Sequence, residues 1–557
     1  MRYFGFLLLL AANLLSAQKN NALIGRENLF VQTNAQVLVT GETLYYQLYC
    51  LQANNNQFSP LSKVAYLQLV DRNRNVVSTQ KIMLENGIGN GDCFIPTTLK
   101  SGSYKLIAFT RWMLGDGNRF FETDIAIINP YATASVQIQS DTARSRKELP
   151  AVVTSEVLSL HPEKKIYGLR EKVNLKITGH DAIGHYALSV RKVDELPYGQ
   201  SQNTVTFATA HTNEKPQVSA RFVPELRGEI VSGKITSNNG KSVSHKTVAL
   251  SIPGASFAFK LVSTDARGGF IFVLDKNLPA RNSVVQIVGE DRNEYAIVLD
   301  PVPSIDLTSL VFPDNFRLNP AWRNSIEKRM VASQIENAYI DQKKDSVPLP
   351  VATVPFFDSL QKEYILDNYT RFPTIKETIT EVLEEVNYKK TKDHYQVFLK
   401  DYYTENALYG PPLVLVDGIL IQDLNLLFDF PAAHFSKVAL VNAPYIYGPK
   451  TFGGIISFTT RNADFPALPQ SGFIQNTVLF RPIQSKKYFN PDYAADANKR
   501  IPDYRTQLLW EPEIKLNDGE SVHSYYTSDV SGTYEIILQG FSATGNPVYV
   551  RDYFEVR

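Results

Sequence analysis

The chain has 557 residues, of which 57 are Lys or Arg and 56 are Asp or Glu, so its formal net charge is +1. Nucleic-acid binding needs Lys and Arg clustered along one face, and this balance gives no support for such a partner. The length predicts roughly three to five domains. The 29 Tyr, 31 Phe, 30 Gly and 30 Pro favour short strands joined by turns, and therefore a mainly β fold.

The N-terminus predicts export. Arg2 precedes an apolar run over 6–12, and Leu15-Ser16-Ala17 offers a small-residue cleavage site, so residues 1–17 are typical of a secretory signal peptide. The run is too short to span a membrane, and no later run reaches about 18 apolar residues. We expect an exported protein in the periplasm or associated with the outer membrane, with no transmembrane span of its own.

The first module is predicted over 24–130. Its alternating apolar strands surround a glycine-rich stretch at Gly87, Gly89 and Gly91. This order resembles the macroglobulin-type β-sandwich of α2-macroglobulin-like proteins. The glycines do not fit a phosphate-binding loop, because Pro96 and the strand after it leave no room for the required helix. We expect the glycines to form a turn.

The two cysteines, Cys50 and Cys93, lie in apolar strand patterns of this module. An oxidising compartment permits a disulfide between them. Closing the loop of about 43 residues would contribute roughly 3–4 kcal/mol in the chain-entropy model. The alternative is a pair of buried free thiols, because sequence does not give the distance between the two residues.

A second module over 150–222 repeats the first. Glu171 precedes a strand and matches Glu42 at a spacing of about 129 residues, which predicts tandem sandwiches. His180 and His185 flank a turn that contains a glycine. Because no third His, Cys or paired carboxylate lies nearby, we expect solvated imidazoles rather than a zinc site.

Three strand-like segments at 228–235, 246–252 and 264–274 define a third module over 226–300. They resemble the carboxypeptidase regulatory-like domain, a small β-sandwich that often precedes the plug of outer-membrane receptors. The resemblance implies no peptidase, because regulatory-like modules carry none of the catalytic residues.

Residues 303–372 form a predicted helical and linker segment. Helical spacing over 322–339 predicts one helix, and a proline-containing link follows it. Thr374 and Glu377 then show the capping-box pattern at the start of a second helix. The predicted apolar face of that helix comprises Ile375, Ile379, Val382, Leu383 and Val386.

The stretch from Pro412 to Arg461 carries the most specific motifs of the chain. Its motif residues are Asp417, Gly418, Tyr447, Gly448, Gly453 and Gly454. The stretch resembles the plug domain of TonB-dependent outer-membrane receptors, which we place at 373–461. In that family the plug lies inside a large barrel. The roughly 100 residues after Arg461 supply at most about eight membrane strands, against about 22 in a plugged barrel, so we expect a plug-like domain without its barrel.

Residues 470–557 predict a C-terminal β-sandwich with Trp510 in its core. This segment resembles the end domain of exported macroglobulin-like proteins that carry a plug-like insertion. The predicted fold class is therefore mainly β, with tandem Ig-like or macroglobulin-type β-sandwiches and a small α+β plug-like domain.

No hydrolase, metalloprotease, nucleotide-binding or Cys-x-x-Cys motif occurs in the sequence. The Cys-Gly-Glu-Gln thioester of protease-trapping α2-macroglobulins is also absent, because Cys50 precedes Leu51 and Cys93 precedes Phe94. We therefore predict no enzyme activity, catalytic residue, cofactor or metal.

The sequence favours a non-catalytic exported accessory protein. We expect it to dock through its sandwich and plug-like modules on an outer-membrane β-barrel or on a transport or secretion complex. The leading contacts are the apolar residues Leu426, Phe428 and Phe430 in the loop over 423–435. The alternative is a periplasmic or surface protein that captures a peptide or a glycan.

Overall fold

The computed structural model describes residues 25–117, 119–132, 137–138, 149–180, 182–193, 196, 202–211, 222–275, 280–313, 317–348, 354–392, 394–400, 408, 410–494, 500–516 and 519–557. The predicted signal peptide lies outside these residues. The chain forms two compact units. The first contains the described residues up to Leu226 together with Ser304–Pro348 and Pro482–Arg557, and the second contains Arg227–Pro303 and Leu349–Arg481.

Strands dominate both units. The first nineteen are β1 (Glu27–Thr33), β2 (Val37–Val39), β3 (Thr43–Gln52), β4 (Val64–Val70), β5 (Val76–Met83), β6 (Ile88–Phe94), β7 (Gly102–Thr110), β8 (Phe121–Ile128), β9 (Gln137–Ile138), β10 (Leu158–Pro162), β11 (Ile166–Tyr167), β12 (Lys172–Gly179), β13 (Gly184–Lys192), β14 (Glu229–Ser237), β15 (Thr247–Ile252), β16 (Ala258–Ser263), β17 (Gly269–Leu274), β18 (Asn282–Val288) and β19 (Tyr295–Leu299).

The remaining strands are β20 (Arg317–Leu318), β21 (Lys362–Ile365), β22 (Val386–Thr391), β23 (His394–Leu399), β24 (Leu413–Val416), β25 (Ile419–Leu420), β26 (Phe435–Val441), β27 (Tyr445–Tyr447), β28 (Lys450–Phe452), β29 (Ile455–Thr460), β30 (Ile474–Val478), β31 (Gln507–Leu516), β32 (Gly519–Tyr526), β33 (Gly532–Ser542) and β34 (Pro547–Val556). The α-helices are α1 (Thr204–Ala210), α2 (Arg323–Ala338), α3 (Ile375–Glu381) and α4 (Asn425–Phe428). Within the described ranges, none of these helices has the length and apolar character needed to cross a membrane.

The first unit begins with an N-terminal sandwich. Its three-stranded sheet, β1-β3-β6, packs against a five-stranded sheet, β2-β8-β7-β4-β5. Alternate side chains point inward from each sheet, as the period-two geometry of a strand requires. Phe30 and Tyr49 from one sheet and Leu67 and Leu106 from the other are buried in one core.

The second sandwich of the first unit is composite. Strands β10 and β12 share one sheet with β32, while β11 and β13 share the other with β31, β33 and β34. Val173 and Leu188 from the early strands are buried in one core with Tyr525 and Ile536 from the late strands. The prediction of a separate C-terminal sandwich over 470–557 is therefore wrong. Its strands complete the module predicted over 150–222, because the four early strands have too little surface to bury two sheet faces.

Helix α2 is held to the N-terminal sandwich by a buried ion pair. The Arg329 guanidinium donates to both carboxylate oxygens of Glu42, and also to the Val37 carbonyl at 2.8 Å. The Glu42 carboxylate accepts the Val39 amide at 2.9 Å as well. The helix predicted over 322–339 is thus confirmed at Arg323–Ala338, with a charged anchor that its apolar spacing did not indicate.

The second unit contains a small sandwich. Its sheets are β17-β14-β19 and β16-β15-β18-β30, and they share a core that includes Phe272 and Val285. Strand β30 lies far beyond the module predicted over 226–300, so that module also needs a later strand for completion. Shortly after β30, Arg481 forms an ion pair with Glu229, and both side chains are almost fully buried.

The α+β module of the second unit is built on a mixed sheet in the order β21-β26-β29-β24-β25. Strand β24 is parallel to β29, and the other neighbouring pairs are antiparallel. Val414 and Val416 face a core shared with α3 and α4. Leu413 and Leu415 face the opposite core, which contains Phe259 of the small sandwich. The sheet is therefore covered on both faces.

The start of α3 agrees with the sequence analysis. Thr374 Oγ1 accepts the Glu377 amide at 3.3 Å, and the Glu377 carboxylate accepts the Thr374 amide at 3.1 Å, which confirms the capping box. All five residues of the predicted apolar face are buried, but the helix is shorter than predicted: α3 ends at Glu381, and Val386 is the first residue of β22. The edge strand β21 precedes this helix, so the predicted domain start at 373 falls inside the module. The predicted fold class, mainly β with sandwiches and a small α+β domain, is confirmed.

The Arg481–Glu229 pair gives a test of how the small sandwich is closed. The substitution Arg481→Met leaves a buried carboxylate without its cation, so we expect a loss of about 3–5 kcal/mol in the stability of this sandwich. Hydrogen–deuterium exchange of peptides from β14 and β17 measures the loss. The double variant Glu229→Met/Arg481→Met should recover most of it, because no unpaired charge remains.

The control is Arg267→Met, which removes an exposed arginine of the same sandwich and should leave the exchange unchanged. Equal losses in the single and the double variant would show that the ion pair does not close the sandwich.

Candidate docking surface of the α+β module

The turn between β24 and β25 is held by a buried carboxylate. Asp417 has a left-handed backbone with φ of +48°. Its carboxylate accepts the Thr460 amide at 2.8 Å, the Thr460 hydroxyl at 2.6 Å and the Phe465 amide at 3.2 Å. Asp417 therefore ties the end of β24 to the end of β29, and its role is to hold the sheet.

Two glycines of the same motif are required by close approach. A Cβ on Gly418 would lie 2.4 Å from Phe257, and one on Gly454 would lie 2.3 Å from the Val441 carbonyl oxygen. Both residues also have φ near +90°, where a side chain strains the backbone. The amide of Gly453 donates to the Pro411 carbonyl at 3.0 Å.

Tyr447 and Gly448 form the turn region of the hairpin β27–β28. The Tyr447 hydroxyl donates to the Phe259 carbonyl at 2.5 Å, and its ring stacks on Phe356 with centroids 4.2 Å apart. Burial raises the pKa of Tyr447 to about 12. This hairpin therefore attaches the α+β module to the small sandwich, and the structure brings all the predicted motif residues into structural roles.

The predicted partner contacts over 423–435 belong to the core. Phe428 is 7% exposed and stacks on Tyr395 with centroids 4.1 Å apart. Phe430 packs edge-on against Phe435 and Phe465, and Leu426 packs against the same core. The prediction that these side chains are presented to a partner is wrong for Phe428, which the short helix α4 buries, while Leu426 and Phe430 are partly buried against the same core.

The predicted disulfide is also wrong, because Cys50 and Cys93 are free thiols. They lie on paired strands, but Cys93 is opposite Leu44. Cys50 is six residues further along β3, or about 20 Å at the rise of a strand. Burial and the nearby Glu27 carboxylate raise the pKa of the Cys50 thiol, and burial raises the pKa of Cys93. The alternative of free thiols in strands is the observed one.

One exposed surface of the α+β module is the basic hairpin, which comprises β22 (Val386–Thr391), Lys392 and β23 (His394–Leu399). Lys389, Lys390 and Lys392 are exposed on it. Within the described part of the chain, none of these three ammonium groups forms an ion pair with a carboxylate. The hairpin therefore presents unneutralised positive charge.

A tyrosine lies at the centre of this charge. The ring of Tyr395 is half-buried, with the Lys376 Nζ 5.2 Å and the Lys390 Nζ 5.1 Å from its centroid. Such cation–π contacts hold the ammonium groups over the ring. A hydrogen bond with Lys376 lowers the pKa of the Tyr395 hydroxyl. Because ammonium groups only donate, the arrangement is suited to carboxylates and other anionic groups.

The sequence contained a signal for this surface. The run Tyr388-Lys389-Lys390-Thr391-Lys392 places three lysines within five residues, and in the strand Lys390 pairs with Tyr395 while its neighbour Lys389 lies on the opposite face. A cluster of lysines of this kind is the sequence feature that indicates the basic hairpin. The apolar residues of 423–435 instead led to the prediction of a contact surface there, because sequence alone does not distinguish a buried core from an exposed apolar surface. Among the described residues, no group of three or more His, Cys, Asp or Glu side chains could hold a metal ion.

The corrected position of Phe428 and Phe430 has a measurable consequence. We expect Phe428→Ser and Phe430→Ser each to destabilise the α+β module by about 3 kcal/mol, because each removes an aromatic ring from a packed core. Limited proteolysis at increasing urea concentrations measures the change. A control variant, Gln396→Ser on the exposed face of β23, should be neutral. Unchanged resistance of both Phe variants would return these residues to the surface.

Gly454 and Gly410 allow the cost of a strained backbone to be measured separately from the cost of a steric overlap at Cβ. Both have φ near +90°, but a Cβ on Gly410 meets no atom within 4 Å. We expect Gly410→Ala to cost about 1 kcal/mol from backbone strain alone. Gly454→Ala should cost at least about 2 kcal/mol more, because its Cβ meets a backbone carbonyl. Equal costs, measured by the same proteolysis, would contradict the close approach.

Comparisons with known proteins give a weak likeness. No family model matches the sequence, and no curated protein matches it. Among solved structures, the chain is similar to Escherichia coli α2-macroglobulin activated by porcine elastase, with 9% identity and a TM-score of 0.24 over 95% of this chain and 43% of that one. It is also similar to Salmonella α2-macroglobulin reacted with methylamine, with 11% identity and a TM-score of 0.25 over 96% of this chain and 40% of that one. The chain thus spans about two fifths of the length of these bacterial proteins, and the macroglobulin, regulatory-like and plug resemblances remain predictions.

Proposed function

We propose that this protein is a non-catalytic accessory protein of the bacterial envelope. It docks on a protein partner at the outer membrane, either a β-barrel or a member of a transport or secretion complex. The basic hairpin is the contact surface of the α+β module, and the partner presents an acidic surface to it. The sequence resemblance to receptor plugs and the export signal suggest the location.

The observation that carries the proposal is the unneutralised charge of the basic hairpin. Elsewhere the structure pairs its buried charges closely: Arg505 donates to both oxygens of Asp503 at 2.8 Å, and Arg329 does the same with Glu42. Exposed lysines without partners contribute little to folding. They can, however, raise the association rate with an acidic partner and select its orientation.

The buried charges support a non-catalytic role. Asp503 has its pKa lowered by Arg505 against the effect of burial, so it stays a carboxylate held by a fixed guanidinium. A general acid or base needs a proton that it can release or accept near working pH. Groups held in such pairs suit a rigid scaffold better than a reaction centre.

Charge reversal on the hairpin tests the proposal. We expect Lys389→Glu/Lys390→Glu to reduce recovery of an outer-membrane partner at least about tenfold in a pull-down after mild crosslinking, because like charges oppose contact. Wild-type recovery should also fall as salt rises from about 0.05 to 0.5 M. The folding of the α+β module, measured by limited proteolysis, should not change.

The matched control is Lys234→Glu/Arg267→Glu, which makes the same change in net charge on exposed residues of the small sandwich. It should leave recovery intact. Equal recovery with both double variants would remove the hairpin as the contact, and the absence of any outer-membrane partner from the wild-type pull-down would overturn the docking function.

The second candidate function is the capture of a small ligand at the bacterial surface. A cavity in the first unit favours it, and this cavity is independent of the α+β module.

A further inference from the structure

A cavity of about 360 Å³ opens between the two sandwiches of the first unit. Its volume lies at the lower end of the range for small-molecule sites. The side chains that give it chemical character are Gln52, Gln57, Phe58, Ile183, His185 and Lys515. They come from the end of β3 and the loop after it, from the start of β13 and the residue before it, and from the end of β31, so the fold brings together three distant parts of the chain.

One wall of the cavity is aromatic. The rings of Phe58 and His185 meet edge-on, with centroids 5.3 Å apart and an interplanar angle of 85°. His180 is exposed, but the prediction of a solvated imidazole is wrong for His185, which is half-buried. Burial, and to a lesser degree Lys515, lower the pKa of His185, so its imidazole is neutral at neutral pH.

The polar groups of the cavity offer both donors and acceptors. The Gln52 amide nitrogen donates to the Phe58 carbonyl at 3.3 Å, which leaves its side-chain oxygen available as an acceptor. The Gln57 side-chain oxygen accepts from Asn55 at 2.9 Å, which leaves its amide nitrogen available as a donor. Lys515 is exposed at the rim and adds a further donor.

The charges around the cavity disfavour an anionic ligand. Glu513 Oε1 lies 3.8 Å from the His185 Nδ1. Burial and the nearby Glu85 raise the pKa of Glu513, while Lys515 acts in the opposite direction. The single ammonium group is therefore offset by two neighbouring carboxyl groups. A ligand whose groups both donate and accept hydrogen bonds, without net charge, matches this balance.

We propose that this cavity binds one ring of a neutral hexose, as part of a glycan. The CH face of a pyranose packs on an aromatic wall such as Phe58 and His185, and its hydroxyls pair with Gln52, Gln57 and Lys515. This inference does not rest on the docking of the α+β module, so either proposal can fail alone.

The test uses the full mature chain and three probes: methyl β-D-glucopyranoside, methyl β-D-galactopyranoside and methyl α-D-mannopyranoside. Glucuronate and cyclohexylmethanol serve as an anionic and an apolar comparison compound. We expect saturation-transfer NMR to detect at least one of them at about 20 mM, because a single ring in a small cavity binds with a millimolar dissociation constant. Phe58→Leu and His185→Gln should each reduce the transfer at least about fivefold. In the wild type, the imidazole resonances of His185 should shift on titration.

His161→Gln is the matched control, because it makes the same substitution at an exposed histidine of the composite sandwich. It should bind like the wild type. Circular dichroism of Phe58→Leu checks that the variant is folded, and the His185 resonances of the wild type report binding independently of any variant. The inference is overturned by an absence of transfer from all three probes, by equal transfer in the two cavity variants and the control, or by stronger transfer from glucuronate or cyclohexylmethanol.

Discussion

The pairing of early strands with late ones is the constraint on which the rest of the structure depends. Strand β13 pairs with β33 along its whole length and with β31 on its other edge, although most of the chain lies between them. Loop-closure entropy grows only with the logarithm of loop length, so burial of a shared core can offset it. Everything from α1 to β30 is consequently an insertion between strands of one sandwich.

The second unit follows the same principle, because β30 joins β18 after the whole α+β module. Glu229 and Arg481 form their ion pair close to the two sequence boundaries of this unit.

Local features could be predicted from the sequence because their causes are local. The capping box of α3 depends on two side chains three residues apart, and the burial of Ile375 and Ile379 follows from helical period. The tandem repeat is also real in physical detail. Glu42 accepts the amide of Val39, and Glu171 accepts the amide of Gly168, in each case three residues earlier. The residue before each glutamate has positive φ, +95° at Gly41 and +53° at Arg170. A turn of one kind thus starts the corresponding strand in both sandwiches.

The sequence-based predictions are wrong where a periodic pattern identifies a strand but not the strand with which it pairs. An alternating strand does not show which strand it will pair with, so the sequence predicts two domains where the structure has one composite sandwich. The register of strand pairing also decides the state of Cys50 and Cys93. These residues lie on the paired strands β3 and β6, but at positions too far apart to form a disulfide. Gly89 and Gly91 were expected in a turn, yet they lie within β6, where side chains of Ile82 and Tyr46 occupy the space that a Cβ would need. In each case the deciding contact is made by a different strand, which the local sequence pattern does not specify.

The residues that make the fold and those available for binding are different sets in this protein. Asp417, Gly418 and Gly454 have structural roles in turns and close backbone contacts. The motif that resembles a receptor plug therefore stabilises the fold of this module, and it does not by itself identify a binding partner. The three exposed lysines of the basic hairpin form no ion pair with a carboxylate among the described residues, although the Lys390 ammonium lies over the Tyr395 ring. The Lys376 ammonium of α3 lies over the same ring, whereas isolated lysines would serve solubility equally well. Clustering of like charges raises their mutual repulsion, and an anionic partner relieves that repulsion when it binds. This relief of repulsion is the physical basis of the proposal that the hairpin recognises an anionic partner.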